Sequence, residues 1–121
     1  MAFNLDKFLN AFETKDADKL IKFLTDDAIL QDGNNEPLVG REAIGKAVGD
    51  FFELIGGVKF NVIRRWIHPD SIIVQGEVTF TRLDDSEITL PFADIYYLKE
   101  DRIQKLYSYI DINPLFERDS A

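Results

Sequence analysis

From Ile88 to Leu98 the chain alternates apolar and polar positions, the two-residue period of a half-buried strand. One face of that strand carries Ile88, Leu90, Phe92, Asp94, Tyr96 and Leu98. Asp94 is the exception on it. An unpaired carboxylate driven among apolar side chains costs several kcal/mol, so it must find a partner or become neutral. Either outcome marks a candidate site.

Upstream the period changes. Leu5, Phe8, Leu9 and Phe12 fall at helical spacing and predict a short first helix. Asp16 then caps a second helix, with Ala17, Leu20, Ile21 and Leu24 on its inner face. Residues 28–31 read as a short extended piece, and residues 32–37, Asp-Gly-Asn-Asn-Glu-Pro, as a loop. A third helix presents Ile44, Ala47, Val48, Phe51, Phe52 and Ile55, with Gly56 and Gly57 as its left-handed C-terminal cap.

Four strands follow, at about 58–67, 71–82, 87–98 and 102–112, joined by connections short enough for antiparallel hairpins. Three helices and then a four-stranded meander predict an α+β fold, with the helices on one face of the sheet and the short extra strand beside it. All 121 residues read as one domain. Three-residue turns at 84–86 and 99–101 set Gly76 opposite Asp94, with Leu106 on its other side. A glycine there leaves an unfilled volume beside the acid, or else marks a bend in a curved sheet. Arg82 and Arg64 are the two cations placed to neutralise Asp94, which would make it an acceptor instead of a donor.

Composition narrows the chemistry. There is no cysteine, which excludes disulfides and thiolate chemistry, and a single histidine, His68, excludes multi-histidine metal sites. The acidic pairs Asp26-Asp27 and Asp84-Asp85 read as solvated turns, so neither a metal nor another cofactor is expected. The net charge of −8 disfavours nucleic acid and anionic membrane surfaces as partners. With no apolar run of signal-peptide or membrane-span length, a cytoplasmic protein is expected.

Several strings together resemble the SnoaL-like branch of the nuclear-transport-factor-2-like superfamily, the cystatin-like cone fold. They are Asp16-Ala-Asp-Lys-Leu20, Asp26-Asp-Ala-Ile-Leu-Gln-Asp32, Gly40-Arg-Glu-Ala-Ile44 and the run from Asp101 to Asp111. The resemblance implies a sheet curled into a cone-shaped α+β barrel, an apolar cavity for a small apolar molecule, and a homodimer through the open sheet face. The nearest local match is ketosteroid isomerase, an enzyme in which an apolar site holds a carboxylic acid neutral. By that match Asp32 resembles the general base and Asp94 the neutral hydrogen-bond donor. Asp32 also reads as the opener of an Asp-Gly turn. The match departs where the oxyanion-hole tyrosine falls on Phe8, which has no hydroxyl; Tyr96 shares the Asp94 face and offers one. The catalytic pair of limonene epoxide hydrolase falls near Gly76 and Val78, and its second aspartate near Ser108, none of which activates water.

The resulting expectation is a cofactor-free isomerase or cyclase using Asp32 and Asp94, or a non-catalytic binding or dimerisation domain. Phe8, Phe52, Trp66, Gly76, Tyr96, Leu106 and Ile110 are expected to wall the pocket.

Overall fold

The computed structural model describes residues 3–117. Helix α1 (Leu5–Glu13) begins at Asn4, whose side chain accepts from the Lys7 amide, and α2 (Ala17–Ile21) at Asp16, which accepts from Lys19. Each cap satisfies one of the amides a helix start leaves unpaired. Strands β1 (Leu24–Asp32) and β2 (Leu38–Val39) precede α3 (Arg41–Phe52). Strands β3 (Gly57–His68), β4 (Ser71–Thr81), β5 (Glu87–Lys99) and β6 (Arg102–Tyr109) form the meander, and a short α4 (Asn113–Phe116) follows.

The sheet has six strands in the order β2-β1-β6-β5-β4-β3, curved and unclosed. It is mixed, because β1 runs parallel to β6. The meander is as expected; the single short extra strand is instead two strands. Leu24, expected on the second helix, starts β1: the Phe23 carbonyl accepts from Ile103 of β6, drawing residues 23–24 into the sheet. Sequence periodicity does not see that long-range pairing.

The expected glycine cap of α3 is also absent. The helix ends in right-handed geometry at Glu53, and neither Gly56 nor Gly57 has positive φ. Lys15 Nζ caps the end instead, donating to the carbonyls of Phe52 and Ile55. Gly56 is required for close approach, since a Cβ there would stand 2.9 Å from the Arg82 carbonyl oxygen.

Two turns reset the register around Asp94. Between β4 and β5 the loop has five residues, closed by Arg82 N–H to Ser86 O, so Thr81 faces Glu87 and Gly76 faces Phe92. Between β5 and β6 the turn has two residues, Glu100 and Asp101, both at positive φ as a type I′ hairpin demands. A bulge at Gln104 then shifts the pairing. Asp94 consequently lies between Val74 and Ser108, not between Gly76 and Leu106.

A second bulge interrupts β3 between Val62 and Arg64. Gly76 sits against it, with the Asn61 carbonyl where a side chain would be. Backbone fills that volume, so Gly76 accommodates a bend and opens no pocket. The bulge also exchanges the faces of β3. Arg65 turns to the helix side and pairs with Asp6 of α1 at 3.0 Å, while Trp66 turns outward and is 43% exposed. The apolar core lies between the helices and the inner sheet face, and includes Phe8, Leu20, Ile44, Phe52, Val78, Phe92, Tyr96 and Ile103.

Candidate functional site

Three adjacent strands place polar side chains in one row on the inner face. Asp32, the last residue of β1, pairs with Ser108 of β6, and Ser108 pairs with Asp94 of β5. All three line a cavity of about 340 Å³ roofed by Phe8, Leu9 and Phe12 of α1 and Ile44, Val48 and Phe51 of α3. That volume lies at the small end of ligand pockets. Asn35 and Glu36, from the loop after β1, also line it.

Asp94 is the one buried charged residue among those described, and it has no cation partner among them. Arg64 lies over the Trp66 ring, 6.0 Å from its centroid, on the outer face. Arg82 donates to the Leu115 and Pro114 carbonyls and holds α4. The expected alternative of a buried ion pair is therefore not formed. The Tyr96 hydroxyl donates to Asp94 Oδ2 at 3.0 Å, and Oδ1 has no partner of regular geometry.

Burial pushes the Asp94 carboxyl up from its ordinary 3.8 to about 6. The hydroxyls of Ser108 and Tyr96 pull the other way by stabilising the ionised form, and the charge of Asp32 adds a small upward push. Asp32, half-buried, is raised by desolvation. Tyr96 is raised well above 10 by burial and by the Asp94 charge, so it stays a neutral donor. Its ring meets Phe8 edge-on, with centroids 5.8 Å apart. The hydroxyl beside Asp94 thus comes from a strand, while the position on α1 supplies only an aromatic wall.

Of the candidate wall residues, Phe8, Tyr96, Leu106 and Ile110 line the cavity. Phe52, Trp66 and Gly76 do not. Phe52 is turned about 100° around α3 from Phe51, and packs edge-on against Phe12 at 5.1 Å. Ser108 is the site residue that the sequence does not single out. Alternation along β6 puts it on the inner face with Leu106 and Ile110; the two-residue turn and the bulge, which periodicity does not reveal, together bring it beside Asp94.

Residues 5–106 match the family model of the SnoaL-like domain. The chain belongs to the SnoaL-like family. No curated protein matches the sequence. Solved structures with the same fold include an LEH-like epoxide hydrolase of M. tuberculosis, 15% identical, with a TM-score of 0.78, over 93% of this chain and 83% of that one. An NTF2-like protein of unknown function from Burkholderia pseudomallei K96243 is 14% identical, with a TM-score of 0.82, over 97% and 95% of the two chains. A putative SnoaL-like polyketide cyclase from Shewanella denitrificans OS-217 is 13% identical, with a TM-score of 0.79, over 90% and 88%. At these identities the likeness is one of fold. Among the described residues, no helix of this SnoaL-like chain is long and apolar enough to cross a membrane.

Proposed function

We propose that this SnoaL-like domain is a cofactor-free isomerase or cyclase acting on a small apolar carbonyl compound, with Asp32 as base and Asp94 as proton donor. The observation that carries the reading is the pair of carboxyls in one row of an apolar cavity, with Asp94 poised at about 6. A group with a pKa near the working pH both gives and takes a proton readily. Without a ligand Asp94 is mostly ionised at pH 7. An apolar ligand that expels water raises its pKa further and converts it to the neutral donor.

The steps balance without a cofactor. Asp32 takes a proton from the carbon next to the carbonyl, and the electrons of that C–H bond pass to the oxygen. Asp94 donates to the oxygen as charge develops there, with Tyr96 orienting its carboxyl. In an isomerase, Asp32 then returns its proton to a different carbon. In a cyclase, the enolate carbon attacks a second carbonyl, the first C=O re-forms as its oxygen gives up the hydrogen bond, and the new alkoxide oxygen takes the proton from Asp94.

Hydrogen–deuterium exchange at the α-carbon of 2-tetralone in D₂O, followed by NMR, tests the chemistry. The protein should accelerate exchange, and Asp32→Asn should reduce the acceleration by roughly 10²–10⁴-fold. Equal acceleration by the Asp32→Asn protein would rule out this base. Binding of the ketone without exchange would favour the non-catalytic domain.

The outer sheet face supports the homodimer as partner. Trp66, Ile73, Ile95 and Tyr107 form one row across β3, β4, β5 and β6, beside the exposed Tyr97 and Tyr109. Such a face suits a second copy of the chain. Sedimentation should give a dimer, reduced to monomer by Ile73→Lys; a wild-type monomer would dismiss the pairing.

A further inference from the structure

We propose that Ser108 is a positioning residue that joins Asp32 and Asp94 into one proton-sharing pair, its hydroxyl passing a proton between the two carboxyls. The inference deepens the acid–base reading above and rests on it for its use in turnover.

The geometry comes from the sheet. Ser108 is flanked by Asp32 on one neighbouring strand and Asp94 on the other. Strands lie about 4.8 Å apart and their side chains stand roughly perpendicular to the sheet, so the two acidic positions are about 10 Å apart at Cα. A serine between them has a short side chain with three staggered positions for its hydroxyl, and can turn to either neighbour. Its hydroxyl both donates and accepts, as a relay requires.

The surroundings leave Ser108 this role. Tyr96 occupies Asp94 Oδ2, and Oδ1 has no donor of regular geometry. Ser108 is nonetheless near enough to pull the Asp94 pKa down, while Asp32 pushes it up, so Asp94 responds to both neighbours in the row. The other titratable groups lining the cavity are Glu36, from the loop after β1, and Tyr96. The α1 and α3 residues that line it are all apolar, and no lysine, arginine or histidine does so among the described residues. A proton in this row therefore has two carboxyls to occupy and one hydroxyl between them.

The relay resets the site after cyclisation. Asp32 has then gained a proton from carbon, and Asp94 has lost one to the new product hydroxyl. The Asp32 O–H bond breaks as its proton moves to Ser108 Oγ, and the serine's own proton moves to Asp94. Serine is unchanged, one O–H bond is lost at Asp32, and one is formed at Asp94.

The test is a ¹³C NMR titration of the Asp32 and Asp94 carboxyl carbons in wild type, Ser108→Ala and Ser108→Thr. In wild type each carbon should report both midpoints, as coupled groups do. Ser108→Ala should raise the Asp94 midpoint by roughly one pH unit, the worth of one hydrogen bond to the ionised form, and reduce each curve to a single step. Ser108→Thr, which keeps a hydroxyl, should restore the wild-type curves. Unchanged curves in Ser108→Ala, or folded Ser108→Thr protein that titrates like Ser108→Ala, would overturn the proposal. Coupled curves in a protein that fails to exchange 2-tetralone would support the shared proton and count against catalysis alone.

Discussion

The Tyr96 hydroxyl donates a 3.0 Å hydrogen bond to Asp94 Oδ2, two residues away on the same inner face of β5. Tyr96 is fully buried and Asp94 nearly so, which shields the bond between them from water. The stability of this buried pair depends on pH.

Asp94 should cost stability as pH rises. Its folded pKa of about 6 lies above the ordinary 3.8, so between those values the folded state holds more protons than the unfolded chain. Stability conferred at low pH is then lost between about pH 4 and pH 6 and stays lost above it. The difference amounts to something on the order of 3 kcal/mol. Asp94→Asn should remove this slope and be the more stable protein at pH 7. Urea denaturation of both proteins at pH 4.5 and pH 7 measures it; parallel pH profiles would refute the assignment.

Tyr96→Phe should act in the opposite direction. It removes the hydroxyl that stabilises the ionised carboxyl and leaves both Asp94 oxygens without a regular partner. A loss of about 1–3 kcal/mol is expected at pH 7, and a smaller one at pH 4.5, where Asp94 is protonated. The Asp94 midpoint by NMR should rise above the wild-type value.

At Gly76 the cost should be steric. An alanine Cβ would meet the Asn61 carbonyl at the β3 bulge, where backbone must give way. Gly76→Ala should destabilise by about 1–3 kcal/mol or more. Gly33→Ala is the comparison: the site is open space but φ is +56°, so only the left-handed penalty of about 1 kcal/mol applies. Thermal melts of the two variants should rank in that order.

Leu106→Trp should fill the cavity while keeping both carboxyls. Leu106 lines it one inward position along β6 from Ser108. Fluorescence titration with 2-naphthol should show binding to wild type and its loss in the variant, with the fold retained by circular dichroism. Undiminished binding would place the ligand elsewhere.

Much of the scaffold is legible in the sequence because its causes are local. The helix start at Asp16 and the alternation of β4 and β5 follow from residues within a few positions of one another. The inward direction of Asp94 is equally legible, since a strand with five apolar neighbours on one face admits one orientation. The neighbours of Asp94 are not. A five-residue loop where the pattern suggests three residues puts Val74 where Gly76 is expected, and a two-residue turn followed by a bulge at Gln104 puts Ser108 where Leu106 is expected.

The sequence by itself determined that a carboxylate enters an apolar interior, and the family resemblance put Phe8, without a hydroxyl, at the tyrosine position. Tertiary structure decided everything that depends on distant segments meeting. It drew β1 parallel to β6 and so brought Asp32 into the row of Asp94; it turned Trp66 outward through the β3 bulge; and it engaged Arg82 with the α4 carbonyls, leaving Asp94 without a cation among the described residues. The physical reason is that alternation specifies a face, whereas register is set by turns, bulges and long-range pairing, and a shift of two residues keeps the face while changing every neighbour.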